Sequence, residues 1–493
     1  ANGISTHFEY DGFGRNIKTT AAYGSANPVE SYTSFEWCSD ISDGNVCVSS
    51  PLAQPVYRIT KSSQGGAVSQ VFIDQLGREV KRSSQRMDGR LAHVGNGYDA
   101  LGHNTKVCDP YFDGDPEYFT DIEYDVLGRA IKSTFADGQI DTVSYNGLVR
   151  TAATDITGLN QQKIETRDSL GNLIQVEDND NKLVTYTYDS FGQMLTVTDP
   201  GNNVTTINYD VMGRKSSMDD PDKGIWSYTY NGLNQLITQT DAKGNTTCSA
   251  YDVLGRMVKR IDNYQGNVST LLGQASDATN QCANDATNVD IATWVYDTAP
   301  LGTSANFALG KLHQTTGKDG FQETYSYDSY VRTTQLTRVV GADSYKIDTT
   351  YDALHRVDTT TYPGPSNRLQ VQNVYNAIGF NVELQNAANT SVYYQAGEMD
   401  ARGNITGESL GNLIVTLRDY NAQTGRLEHI SGYRYTDLAG SPSIQNLDFQ
   451  FDKIGNLISR QDHLQGFDED FSYDNLNRLT DTNSDFGNGD IRS

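Results

Sequence analysis

The 493 residues hold 62 acidic against 38 basic side chains, a formal charge of −24, and 37% hydrophobic content. That balance excludes a phosphate-neutralising nucleic-acid or anionic-membrane surface, which needs clustered Lys and Arg, and no apolar run approaches the roughly 20 residues that span a bilayer. Such a polar, charged composition suits a disordered chain, but aromatic and β-branched residues recur in phase at regular intervals, as ordered strands require.

The polar start Ala1-Asn2-Gly3-Ile4-Ser5-Thr6 is not a signal peptide. A turn motif opens almost at once at Tyr10. Residues 16 to about 70 carry no clear copy; Ser34 to Cys38 and Ser49 to Pro51 read as a strand pair with a long loop. The array resumes at Phe72-Ile73-Asp74-Gln75-Leu76-Gly77-Arg78. Tyr124-Asp125-Val126-Leu127-Gly128-Arg129 then recurs as Tyr209-Asp210-Val211-Met212-Gly213-Arg214 and Tyr251-Asp252-Val253-Leu254-Gly255-Arg256. Looser copies begin at Tyr98, Tyr188, Tyr327, Tyr351, Tyr375, Tyr420, Phe451 and Tyr473. Tyr188, Tyr209, Tyr230 and Tyr251 are spaced by 21, and Tyr327, Tyr351 and Tyr375 by 24.

The reading in chain order is an atypical N-terminal repeat with a long loop insertion (1–71), a regular array (72–262), a polar loop insertion (263–295) and a continuing array (296–493). Both ends are expected to be internal to a larger protein.

Each part of the motif has a mechanical reason. Alternation such as Val184-Thr185-Tyr186-Thr187-Tyr188 is strand-like at period two. The aspartate accepts a backbone N–H two residues on, and the glycine supplies the positive φ of a short hairpin connection. The arginine opens the return strand, which ends at a second turn such as Asp199-Pro200-Gly201-Asn202 or Asp241-Ala242-Lys243-Gly244-Asn245. About sixteen copies predict roughly thirty strands and a ribbon near 150 Å long, which strand twist must curl into a spiral with a concave face. No helical spacing persists over more than about two turns, so the predicted fold is all-β. The motif residues Tyr124, Asp125, Gly128, Arg129, Tyr188, Asp189, Gly192, Tyr209, Asp210, Gly213, Arg214, Tyr251, Asp252, Gly255 and Arg256 are read as structural. Their tyrosines are expected to form a ladder with rings in contact, fixing register.

No catalytic, cofactor-binding or metal-binding set emerges. The seven histidines show no HExxH spacing, and His103 and His355 read as turn substitutions. Asp113-Gly114-Asp115, Glu177-Asp178-Asn179-Asp180 and Asp219-Asp220-Pro221-Asp222 match no complete calcium loop and fall at predicted turns. There is no GxSxG elbow and no phosphate-binding glycine loop. Five cysteines leave one unpaired if bridges form. Cys38 and Cys47 are a candidate disulfide, Cys248 and Cys282 a weaker one, and Cys108 reads as a buried thiol.

The in-phase Tyr-Asp-x-x-Gly-Arg copies, with Asp-x-x-Gly-Asn turns between them, resemble the Rhs and YD-repeat family: B and C components of insecticidal toxin complexes, Rhs polymorphic toxins, wall-associated proteins and teneurins. The resemblance implies a hollow β-shell, which in the toxin relatives encloses a C-terminal toxic domain. The family's Asp-Pro-x-Gly core ending and its self-cleaving aspartates are not found before Ser493. The expected function is a non-catalytic shell segment of a secreted or cell-surface bacterial toxin. Its expected partners are a C-terminal toxin cargo, other shell segments and a translocation or delivery component; no nucleic acid and no membrane insertion are expected. The alternative is a cell-surface adhesion or carbohydrate-binding array.

Overall fold

A computed structural model describes residues 4–40, 54–155, 161–264, 290–297, 309–437, 442–485 and 491–492. Forty strands are assigned among them, all joined in one antiparallel sheet. This exceeds the thirty expected from the motif count. The difference lies in hairpins without a recognisable motif, among them Asn16–Tyr23 paired with Val29–Trp37, itself paired with Tyr57–Ser63. Helix among the described residues is limited to two three-residue 3₁₀ segments, Cys38–Asp40 and Lys318–Gly320.

Sequence neighbours pair throughout the regular array, as in Leu183–Tyr188 with Met194–Thr198 and Val204–Tyr209 with Lys215–Asp220. The register shifts immediately before the motif tyrosine in copy after copy, at Thr187/Tyr188, Asn208/Tyr209, Thr229/Tyr230 and Ala250/Tyr251. Such bulges add local twist and bend. The strand Ile291–Tyr296 pairs with Met257–Ile261, so the array resumes at residue 291 and not at 296.

Alternation gives the sheet two chemically different faces. One carries Tyr186, Val197, Ile207, Met218, Trp226 and Tyr228, aligned through the pairs Tyr186↔Val197, Ile207↔Met218 and Met218↔Trp226. The other carries hydroxyls that hydrogen-bond across strands, as in Thr187 to Thr196 at 2.6 Å and Thr240 to Thr246 at 2.8 Å. On the hydroxyl face Thr187, Asn208 and Ser227 are exposed; their aromatic-face neighbours Tyr186, Tyr188, Ile207, Tyr209, Trp226 and Tyr228 are half-buried.

Full burial is confined to a few places. One cluster gathers Ile237, Cys248, Ile261 and Tyr264. Another joins Ala92 and Phe112 to Ala401, nearly three hundred residues on. The second cluster shows that the sheet coils back on itself.

Candidate functional site

The repeated unit is a turn closed by one carboxylate. Oδ1 of Asp252 accepts the backbone N–H groups of Leu254 and Arg256, both at 2.9 Å, while Oδ2 accepts Nε of Arg256 at 2.7 Å. Gly255, at φ 81°, donates its N–H to the Asp252 carbonyl at 3.0 Å. Asp125 with Arg129 and Asp210 with Arg214 repeat these bonds, and Gly128, Gly192 and Gly213 share the positive φ. The second turns are built the same way with asparagine as the fourth partner: Nδ2 of Asn203 donates to Asp199 and that of Asn245 to Asp241. Asparagine closes the turn locally. Arginine also reaches the next hairpin.

That reach corrects the expected ring-on-ring ladder. The Arg129 guanidinium lies over the Tyr145 ring at 3.7 Å, Arg214 over Tyr230 at 4.8 Å and Arg256 over Tyr296 at 4.4 Å. Hydroxyls of the motif tyrosines donate back to the carbonyl that opens the return strand of an earlier hairpin: Tyr124 to Asn104, Tyr188 to Leu173, Tyr209 to Met194 and Tyr251 to Leu236, at 2.8 to 3.1 Å. The pairing with the following strand stops short of that carbonyl, as at Thr196↔Thr206 beside Met194 and Thr238↔Cys248 beside Leu236, and an unpaired carbonyl is costly. Tyrosine, unlike phenylalanine, satisfies it. Among the described residues the ring pairs in contact all include histidine or tryptophan. His103, standing at the arginine position, bonds Asp99 at 2.8 Å and stacks on Tyr124 at 4.7 Å. His355, at the glycine position, takes φ 66°. Gln193 replaces arginine after Asp189 and reaches the Gly213 carbonyl at 3.3 Å.

The electrostatics follow. The backbone N–H of Arg129 and then its side chain hold the Asp125 carboxyl below the usual range, and the Arg214 side chain does so for Asp210. Burial pushes the hydroxyls of Tyr188 and Tyr251 up, so they remain donors.

The larger geometry is a contact between windings. Arg86 donates to the Ala401 carbonyl at 3.0 and 2.6 Å, Asn376 to the Met87 carbonyl at 2.8 Å, and His355 to the Asn27 carbonyl at 2.7 Å. Farther round, Asn477 donates to Gln161 at 2.9 Å and Asn475 to Asp180 at 3.3 Å. In these pairs a residue of a later Tyr-Asp turn meets a residue at or beside a connection between hairpins of the earlier winding, 289 to 328 residues upstream. The linker turn between the strands Tyr57–Ser63 and Ser69–Ile73 meets the Tyr-Asp turn between Asp343–Tyr351 and Val357–Thr361. One winding is therefore about 24 strands, and at roughly 4.8 Å per strand its circumference is about 115 Å and its diameter about 37 Å. The sequence pattern could not reveal this period, because the partners share no local signature. A usable signal was the apolar residue at the tip of nearly every Tyr-Asp turn.

Cys38 and Cys248 each take part in a separate disulfide; Cys47 and Cys282 lie outside the described residues, so neither candidate pairing is seen whole. Cys108 is free and buried, and burial pushes its thiol up to about 12. Among the described residues no His, Cys, Asp and Glu group has metal-binding geometry, and no helix is long and apolar enough to cross a membrane.

An RHS Repeat model matches residues 167–204 and 230–266. The coil is similar to the crystal structure of TcdB2-TccC3-TEV, with TM-score 0.74 and 15% identity over 98% of this chain and 30% of that one. It is also similar to TcdB2-TccC3, with TM-score 0.71 and 15% identity over 98% and 29%. The Photorhabdus luminescens Tc holotoxin pore gives TM-score 0.68 and 16% identity over 92% and 24%. The chain thus spans less than a third of the solved chains it matches. No curated protein matches it. The repeat match covers two stretches of the chain, the Tyr-Asp turns continue in phase on either side of it, and the coil shares the fold of these solved structures.

Proposed function

We propose that the chain is a non-catalytic wall segment of an Rhs/Tc-type toxin shell, enclosing a C-terminal toxic domain of its parent protein until delivery. The observation that carries this reading is the seating of one winding on the next. It turns a ribbon one layer thick into a continuous wall about 37 Å across, wide enough for an extended or partly folded polypeptide. The sheltered aromatic face lines that space in this reading. The turn chemistry supports a structural role: motif aspartates, arginines and tyrosines such as Asp125, Arg129, Asp210, Arg214, Asp252, Arg256 and Tyr209 bond one another or the backbone, which leaves them engaged in the wall. Their engagement also favours a wall over the adhesion alternative, which needs tyrosines free to stack on sugars. A secreted or surface-delivered bacterial parent belongs to the same proposal, as do the other toxin-complex components with which it would assemble.

Limited proteolysis of the full-length parent, followed by mass spectrometry, tests it. A severed C-terminal fragment that stays with the repeat region and resists digestion is expected. A C-terminal region that is free and digestible from the outset would overturn the container.

A further inference from the structure

The hairpin of strands Asn104–Cys108 and Phe119–Tyr124 ends in a flap. Its strands pair as far as Cys108 opposite Phe119, and Asp109 to Tyr118 run on beyond them, closed at the base by the Asp109 N–H on the Tyr118 carbonyl at 2.8 Å. Tyr111 and Phe112 tie the flap to the sheet by pairing with His93 and Ala92 of the strand Leu91–Tyr98. The flap also meets the later winding. Phe112 and Ala92 are buried against Ala401, Asp109 pairs with Arg402 at 3.2 Å, and Tyr111 and Tyr118 line a cavity of about 300 Å³ with Ala401, Arg402 and Tyr420.

Beside Tyr111 the sheet buries a histidine. His93 is 4% exposed; its ring lies 5.5 Å from that of Tyr111, and its Nδ1 is 2.7 Å from Oγ of the buried Ser83. Its Nε2 is buried without a hydrogen bond, because Asp113 Oδ1, at 3.1 Å, stands off the bonding direction, and the Asp113 side chain is 86% exposed. The other charged group facing the ring is the half-buried Lys81 of the neighbouring strand Glu79–Gln85, which in turn faces Asp113 and Glu117. Cys108 and Tyr111, the remaining titratable neighbours, are kept protonated by burial. A neutral imidazole suits this place and a charged one does not: burial first and the Lys81 charge second oppose protonation, and water screens the attraction of the exposed Asp113.

We propose that residues 109–118 are an acid-released flap: protonation of His93 lifts Tyr111 and Phe112 from the sheet and frees the later winding at Ala401. The proposal rests on the contact between windings and not on any enclosed cargo. The flap is the element that yields, because only two cross-strand pairs hold it to the sheet, whereas His93 is anchored on its other side through Ser83 in a strand paired along its length. The sign follows from linkage. With the flap closed His93 takes up a proton less readily than with it open, so closure is complete above the ordinary value of 6.5 and is lost as the pH falls below it. The turn aspartates keep their charge down to about pH 4, so an opening between about pH 6.5 and 5 is not theirs. Acid thereby loosens the seam between windings at one place while the hairpins around it stay folded.

Hydrogen–deuterium exchange of the intact chain from about pH 7.5 to about pH 5, corrected for the intrinsic pH dependence of amide exchange, provides the test. Over that range the peptide spanning 109–118 is expected to lose protection by about tenfold, while the strands Leu183–Tyr188 and Met194–Thr198 keep theirs. H93Q and H93N, which put a neutral amide in place of the ring, should hold the flap closed throughout. K81M, which leaves His93 in place and removes the cation beside it, should cut the loss to about threefold or less, and it decides the matter if neither amide variant folds. Protection that does not change with pH overturns the proposal, as does a full loss in H93Q or H93N or a loss undiminished in K81M. The flap can stay closed in acid while the parent still protects a severed fragment, so the two readings fail separately.

Discussion

The turns at Asp252–Arg256 and Asp352–Arg356 are built from the same bonds, with Oδ1 on two backbone N–H groups and Oδ2 on the arginine Nε. Yet Leu254 is 72% exposed at the tip of the first, while Leu354 at the tip of the second packs against Gly65 of the preceding winding. The hairpin is therefore a local object, complete within one motif, and the wall is a separate achievement of contacts between windings. Substitutions that treat the two turns alike probe the hairpin; those that treat them differently probe the wall.

The largest effect is expected from Gly379→Val compared with Gly255→Val. Both glycines sit at positive φ, 86° and 81°, where a β-branched residue should destabilise by more than about 1 kcal/mol. A Cβ on Gly379 would also lie 2.4 Å from the Gly65 carbonyl oxygen, whereas Gly255 faces only the end of Gln235 at 3.2 Å. Gly379→Val should lose about 1–3 kcal/mol more than Gly255→Val, read as the difference in denaturant midpoints.

Next comes truncation at the tips. Leu354→Ala removes partly buried apolar surface and should destabilise by about 1–2 kcal/mol. Leu254→Ala removes surface already in water and should fall within about 0.5 kcal/mol of zero. Equal losses in thermal melts would mean that the windings contribute nothing to stability.

Acid should act on both turns alike, because both use the same carboxylates. Asp125, Asp210, Asp252 and Asp352 are all held below the ordinary value of 3.8. For Asp125 and Asp210 the arginine bonds are the main cause; for Asp252 and Asp352 burial opposes the shift and the arginine bonds outweigh it. A depressed folded pKa contributes stability that is complete above the unfolded value and is lost as pH falls through the folded one. Melting temperatures should therefore hold at neutral pH and drop progressively below about pH 4. The smallest effect is expected from Asp210→Asn. Asn231 already performs the turn, accepting from Leu233 and Gln235 at 2.9 and 3.0 Å. The variant should start slightly less stable than wild type at pH 7 and lose less on acidification, as followed by circular dichroism.

Much of the hairpin was legible in the sequence. Asp252 two residues before Leu254, Gly255 at the tip and alternation either side prescribe an Asx turn between strands, and the structure has each bond. The role of Tyr251 was only half legible, because alternation places its ring on one face but says nothing of the Leu236 carbonyl that its hydroxyl reaches. The strands Asn16–Tyr23 and Tyr57–Ser63 were not resolved as such, since they lack the turn chemistry that announces a hairpin. The winding was legible only in the apolar residues at the turn tips, and its period was not. Its contacts join Arg86 to Ala401 and Asn477 to Gln161 through ordinary polar groups, and their spacing depends on accumulated twist and not on any local motif.

Small-angle X-ray scattering of the chain tests the central claim, that forty strands coil into a stacked wall, most directly. A coil about 37 Å across predicts a compact pair-distance distribution ending well below about 100 Å, with the depressed short-distance shoulder of a hollow body. An uncoiled ribbon of forty strands would extend to about 190 Å, and a maximum dimension near that value would contradict the account.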